Sequence, residues 1–502
     1  MTLLAAHWQR IPRYLRSLVR KPTSKAVMLA AIYVAVTLFV SIYLLHDSYN
    51  SYALDLGLFA QSLKSTLQGN LLYHTVGGQS HLAYHFSPIL LVLVPIYCIA
   101  PYCETLLVVQ GVALGLSGFL VYLLARNFKL RHRTSLFIEG LFFINPLVWG
   151  TALIDFHPVV LAVPTLLIMF IGLVQKRWIL FTVGLVLSLM TKEDVVVALG
   201  VFGLVMFIGH YLKNRKMDGV SLRILYSALF TYGIAILVSM TVSKGDYPNI
   251  LTYANVRYEY LGQPIASAIP DAIYTFFSAE SLFLVFAYLA PLGFLPLFSW
   301  RWAAPGLFIL MANMLSTCPN QHYYLRQYTV AAIPFLFMAM ISALARIRER
   351  RDLRLLLARL WPRWSIYMLI VMLVAALLVN LYPTSRLRIA TLPGPHEEAL
   401  NKVIALVPDG ATVTANDSIF PHLCCRTDTY MPQWIDPYTP IGYNGDWGFP
   451  DKDTEYVVIS RVHKQHYFGG DWEDVIMNKL NEKYQLVVEI DGAELYRLRH
   501  ND

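Results

Sequence analysis

Histidines, carboxylates and a few cations collect in short strings: Asp55-Leu56-Gly57, His81 to Pro88, Asp155-Phe156-His157-Pro158, Thr191-Lys192-Glu193-Asp194, and Thr317–Thr329 with His322, Tyr323 and Arg326. Asp55 stands among Leu54, Leu56, Leu58 and Phe59, where a carboxylate can serve as a general base at a membrane interface or simply cap or pair on a surface helix. His81 and His85 are four apart and share one face if helical. Two such imidazoles can hold a metal, but no glutamate completes an HExxH pattern. Ser87-Pro88 predicts an N-cap followed by proline at the first helical position, aiming the positive helix end toward His85 and favouring an anion such as a phosphate. Interfacial histidines bonded to loop carbonyls are the plainer reading.

The remaining strings divide in the same way. Asp155 and His157 sit in a short turn that either needs polar residues for solvation or uses them to bind substrate. Thr191 with Asp194 three residues later fits a capping box, which assigns Asp194 to helix capping. Glu193 has no such role and falls below the membrane surface, where ionisable groups are functional candidates by default. Tyrosines of the 317–329 loop fit an aromatic belt, while Arg326 can grip a phosphate through paired donors, with His322 and Tyr323 as substrate contacts.

These strings must be carried by membrane helices. Of 502 residues, 56% are hydrophobic and only 14% charged, against about 25% charged in soluble domains, because charge at the bilayer centre costs several kcal/mol. The net charge of +8 does not imply nucleic acid, since the cations form dispersed clusters at Arg126–Arg133, Lys176-Arg177, Lys213–Lys216, Arg301 and Arg346–Arg363. Six lie in the first 25 residues, which contain no acid. Placing every cluster in the cytoplasm follows the positive-inside rule and predicts about eleven transmembrane helices between residues 26 and 382. The run 86–100 then does not cross, being short of the roughly 20 residues a span requires and interrupted by Pro95. Ala26–Leu45 lacks a small-residue cleavage site and reads as an anchor helix. The expected layout is a cytoplasmic basic N-terminus (1–25), a polytopic all-α membrane domain (26–382) with a first outer loop (46–103), and a small extracytoplasmic α/β domain (383–502). The setting is the cytoplasmic membrane, N-terminus inside. In the last segment Glu397–Val407 and Asp474–Lys483 read as helices, Ala411–Ala415 and Tyr456–Ser460 as strands. Leu486–Ile490 and Glu494–Leu498 flank the hairpin pair Asp491-Gly492. The five cysteines show no CxxC or metal spacing, and adjacent Cys424 and Cys425 suit one another poorly as a disulfide.

Through the strings Asp55-Leu56-Gly57, His85-Phe86-Ser87-Pro88, Asp155-Phe156-His157-Pro158, Lys192-Glu193-Asp194 and His422-Leu423, the sequence resembles the GT-C superfamily of membrane glycosyltransferases. More narrowly, it resembles a bacterial and archaeal family of predicted membrane proteins near that superfamily. The resemblance implies a GT-C-like fold and transfer of a sugar from a polyprenyl-phosphate carrier to a glycan, lipid or protein acceptor, with no nucleic acid involved. In similar enzymes acting on lipid-linked aminoarabinose, an Asp-Glu pair opens a surface helix, followed by a small-Gly turn and Lys-Pro-Pro. Asp55 matches the first acid and Gly69 the turn, but Leu56 stands at the second acid and His85 near the lysine. By this resemblance Asp55 takes the acceptor proton, and Glu193, the second catalytic residue, orients acceptor or sugar. His85, His81 and Arg326 hold the leaving phosphate, and Asp155, His157, His322 and Tyr323 contact substrate. No metal ligand is assigned, although a divalent metal is compatible. A catalytically inactive binder of lipid-linked glycan, or a transporter, stays open as an alternative.

Overall fold

The computed structural model describes residues 22–243, 250, 257–349, 363–371, 374, 386–426, 428–431, 453–463 and 472–499. Most of the expected basic N-terminus, of the stretch 346–363 and of the span 365–382 lies outside these residues. Seven helices are long and apolar enough to cross a membrane: Thr23–His46, Cys103–Asn127, Pro158–Gln175, Glu193–Asn214, Gly219–Val242, Leu295–Met314 and Gln327–Glu349. Two bent pairs, His132–Ile144 with Pro146–Leu153 (48°) and Ile265–Phe276 with Ala279–Leu292 (49°), bring the number to nine. Nine of the expected spans are thus found among the described residues, and the expected span 365–382 lies mostly outside them. Trp178–Leu189 reaches only about 18 Å at 1.5 Å per residue, short of the roughly 30 Å hydrocarbon core, yet it carries the chain from Arg177 back to the end that holds Glu193. Ile89–Ile99, with Pro95 inside it, is likewise too short to span, as its sequence predicts. The first kink has a local cause: Asn145 Oδ1 accepts from the Leu147 amide at 2.9 Å, and Pro146 opens a new helix there.

The bundle is sorted by charge along its length. Following each helix in turn places Arg126, Arg131, Lys176, Arg177, Lys213, Arg301 and Arg346 at one end. The opposite end carries the turns holding Asp55, Asp155, Glu193 and Arg326, and the C-terminal residues pack there.

Those C-terminal residues build a five-stranded sheet. With β1 (Tyr73–His74) and β2 (Gln79–Ser80) forming a separate hairpin in the first long connection, the sheet comprises β3 (Thr412–Ala415), β4 (Asp428–Tyr430), β5 (Tyr456–Ser460), β6 (Tyr484–Ile490) and β7 (Ala493–Leu498). Its order is β4-β3-β5-β7-β6, parallel across β4-β3-β5 and antiparallel across β5-β7-β6. Asp491 (φ 48°) and Gly492 (φ 74°) make the tight β6-β7 turn, a left-handed pair that Asp-Gly favours. Helix Pro395–Ala405 buries Ala399, Leu400 and Val403 against Val413, Val458 and Leu495. The expected elements thus recur within a residue or two, and β4 is added.

The sheet unit meets the bundle through named contacts. Tyr49 Oη donates to Asn401 Oδ1 (2.8 Å), and the His422 ring stacks between Tyr49 (4.0 Å) and His46 (4.3 Å). The Ala53 amide donates to both the backbone oxygen (3.0 Å) and the Oδ1 (2.8 Å) of Asp417.

Candidate functional site

Asp55 owes its position to an unusual turn. Ala53–Gly57 is wound as a π-helical turn before helix Leu58–Leu67, a wider winding that recurs at functional sites. The turn is pinned from outside itself. The Tyr52 amide donates to Asp155 Oδ2 at 2.8 Å, the Ala53 amide to Asp417, and Leu56 is fully buried. Gly57 is required by contact, since a Cβ there would stand 2.5 Å from the Phe420 ring. Helix Leu58–Leu67 points Phe59, Ala60 and Leu63 into the protein.

His157 Nε2 lies 3.1 Å from Asp55 Oδ1, and its Nδ1 is 2.8 Å from the Asp155 backbone oxygen. A carbonyl only accepts, so Nδ1 must carry a proton and Nε2 faces a carboxylate. A neutral imidazole would turn a lone pair toward that oxygen. The pair therefore holds one further proton between Nε2 and Oδ1. Burial pushes the Asp55 carboxyl up, but His157, then Arg326 and Arg386, more than offset it and hold it below its ordinary value. Its side chain keeps 23% exposure. Asp155 differs: burial raises its carboxyl against the pull of Arg386, which lies 3.3 Å away and stacks over the Tyr52 ring at 4.6 Å. Asp417 is raised further, to about 7, by burial.

A second group lies beside the first. His85 Nδ1 and Glu193 Oε1 are 2.7 Å apart, and Glu193 Oε2 accepts from the Phe86 amide at 3.1 Å. Burial holds His85 below its usual pKa, although Glu193 pulls the other way. His81 is one helical turn away, as its spacing predicts, with ring centroids 5.8 Å apart. Burial pushes its pKa well below normal, and its Nε2 is buried without a hydrogen-bond partner. It can offer a phosphate an N–H but no charge. The expected anion site at the start of helix Ile89–Ile99 is corrected, because its first three amides already donate to Met190, Ser87 and Pro88 carbonyls. The capping box is corrected too. Thr191 Oγ1 bonds Ser188, whereas Asp194 pairs with Lys192 (3.0 Å) and approaches Arg257 (3.8 Å). Both cations lie over the Tyr328 ring, at 5.7 and 5.4 Å.

Phe59 joins the groups, its ring 5.0 Å from His81 and 5.9 Å from His157. The opening of helix Gln327–Glu349 and the residue before it close both, with Arg326 acting on Asp55 and Tyr328 meeting Lys192 and Arg257. Asp55, His157, Asp155, His81, His85, Glu193 and Arg326 thus gather at one end. His322 does not join them. It packs at the base of its loop with a buried, unpartnered Nε2, and Glu280 is its charged neighbour. The Tyr323 carbonyl accepts from the Arg326 amide at 2.9 Å, a support for the loop. Sequence reasoning missed Arg386 and Asp417 and gave Lys192 and Arg257 too little weight. The available signal was that Arg386 follows the last apolar run and that Asp417 sits in the polar turn Asn416-Asp417-Ser418.

Residues 45–495 match the family model described as "Predicted membrane protein (DUF2079)". The chain belongs to the DUF2079 family. No curated protein matches it in sequence. Among solved structures, it is similar to ArnT from Cupriavidus metallidurans in the apo state, at 15% identity and TM-score 0.51, covering 94% of this chain and 97% of that one. This likeness is one of fold and extends over almost the whole of both chains. The DUF2079 chain is thus a membrane protein with an ArnT-like fold and a small sheet domain at its C-terminus.

Two further features bound the chemistry of this DUF2079 site. Among the described residues, none of its imidazoles and carboxylates come together in threes at ligand distance. A cavity of about 580 Å³, lined by Lys213, Arg301, Arg346 and Trp302, lies at the other end of the bundle. It is separated from Glu193 by most of helix Glu193–Asn214.

Proposed function

We propose that this protein is a membrane glycosyltransferase that moves a sugar from a polyprenyl-phosphate carrier to an envelope glycan, lipid or protein acceptor on the exterior face. One observation carries the reading: an ionised, partly exposed carboxylate, Asp55, held by His157 and under the influence of Arg326, has His81 across the Phe59 ring from it, at the end of an ArnT-like bundle that bears the C-terminal domain. The acceptor hydroxyl attacks the anomeric carbon as the bond to the phosphate oxygen breaks. The carrier phosphate leaves with the electron pair, and the hydroxyl proton passes to Asp55. Because Asp55 is held ionised by His157, it is a weak base, so transfer comes late, once bond formation has acidified the hydroxyl. Arg326, with Lys192 and Arg257, neutralises the leaving phosphate. His157 positions Asp55, Asp155 positions His157 and the Tyr52 turn, and Glu193 positions His85. His81 adds a neutral N–H. The N-terminus and the basic end face the cytoplasm on this reading.

One observation favours a second reading, a lipid-linked-glycan binder without turnover: both Asp55 and Glu193 are already paired with imidazoles. Asp55→Asn separates the two. For the enzyme, glycan transfer by the reconstituted protein falls roughly 10²-fold or more, while carrier-lipid affinity changes less than about threefold. Envelope glycans unchanged by Asp55→Asn, with carrier lipid still bound, would remove the enzyme and leave the binder.

A further inference from the structure

Cys103 opens helix Cys103–Asn127, whereas Cys424 and Cys425 follow the short helix Phe420–Leu423. They meet where the sheet domain sits on the bundle. Cys103 Sγ is 3.6 Å from Cys424 Sγ and 3.4 Å from Cys425 Sγ, and all three sulfurs lie within 4.8 Å of one another. Cys103 and Cys424 are buried, within an apolar cluster containing Leu93, Tyr97, Leu107 and Phe420. Tyr97 Oη donates to Cys425 Sγ at 3.2 Å, and the Cys103 thiol donates to the Pro421 carbonyl at 3.0 Å.

We propose that Cys103, Cys424 and Cys425 bind a thiophilic d10 cation, Zn²⁺ or Cu⁺, that clamps the C-terminal sheet domain to the membrane bundle. Three sulfurs are one more than a disulfide uses. Cys103 is nearly equidistant from the other two, so neither pairing is selected, and the vicinal pair cannot bridge without strain. A zinc–sulfur bond of about 2.3 Å sets tetrahedral sulfur separations near 3.8 Å, within a few tenths of an ångström of those observed. Two oxygens, Tyr97 Oη and the Pro421 carbonyl, already touch the sulfurs and can complete a zinc site. Cuprous ion is satisfied by the three sulfurs. Binding converts three S–H groups into three metal–sulfur bonds and releases three protons to solvent, with no change of oxidation state. The site is independent of glycosyl transfer.

The full-length protein, purified in detergent and stripped with a chelator, is titrated with Zn²⁺ alone and, anaerobically, with Cu⁺ alone. Cys103→Ser and the double variant Cys424→Ser/Cys425→Ser are run beside it. About one equivalent of one ion per chain is expected, with binding weakened roughly tenfold or more in either variant. The ion that saturates identifies the cation. Bound ion also slows maleimide labelling of the three thiols while leaving exposed Cys98 reactive. A Cys103 disulfide to Cys424 or Cys425 in peptide maps of the non-reduced protein overturns the proposal. Equal metal uptake by all three proteins does the same. If the serine variants do not stay monodisperse, the labelling decides alone, and thiols unprotected by either ion sink the site.

Discussion

Asp55 and Asp417 flank one turn and titrate in opposite senses, which makes them separable by pH. The Asp55 carboxyl is held low by His157 against its burial. Its contribution to stability is therefore complete above the ordinary carboxylate range and is lost as pH falls through the folded value. Asp417 is raised from 3.8 to about 7, chiefly by burial, and its Oδ2 is buried without a partner. The folded chain keeps this proton when the unfolded chain has released it. Stability from this group thus declines as pH climbs from about 4 to about 7 and stays low above. Asp417→Asn preserves the Oδ1 acceptor for the Ala53 amide and removes the charge. It should stabilise the protein by roughly 1–3 kcal/mol at pH 8 and by little at pH 5, a difference that thermal unfolding in detergent at the two values will read. Neither direction is visible in the sequence, where Asp55 stands between leucines and Asp417 in the polar turn Asn416-Asp417-Ser418.

At the scale of elements, two glycines set how closely the site can be assembled. A Cβ on Gly57 would meet the Phe420 ring at 2.5 Å, and one on Gly150 would meet the Leu325 Cα at 2.6 Å. The first obstacle is a side chain that can turn, the second a backbone that cannot. Gly57→Ala is expected to cost about 1–3 kcal/mol, mostly recovered in Gly57→Ala/Phe420→Leu. Gly150→Ala should cost more and find no such rescue. It pushes on the loop that holds Arg326, so carrier-lipid affinity should fall with stability. Melting temperatures of the three variants and lipid titrations of the folded ones check this. The Asp-Leu-Gly string was legible as a motif, and its glycine is now explained by Phe420, 363 residues further along the chain. No local pattern could have announced that contact.

For the molecule as a whole, the two ends of the bundle differ in charge, and the positive-inside rule assigns the basic end to the cytoplasm. In cells, with Cys98 replaced by serine, Lys216→Cys should react with an impermeant maleimide only after permeabilisation, and Asp409→Cys should react without it. The reverse pattern would invert the proposed topology. Much of this arrangement was written in composition: apolar length set the helices, charge clusters sorted the bundle ends, and Asp-Gly placed the last hairpin. These are local properties, each decided within a few turns of chain by burial, charge and backbone sterics. Tertiary structure alone decided the partners. His157 took Asp55, Lys192 and Arg257 drew Asp194 away from capping, Arg386 reached Asp155, and three cysteines without metal spacing came together. Such pairings depend on how separate helices and a distant sheet pack together, and the distances that fix them exist only once the chain has closed on itself.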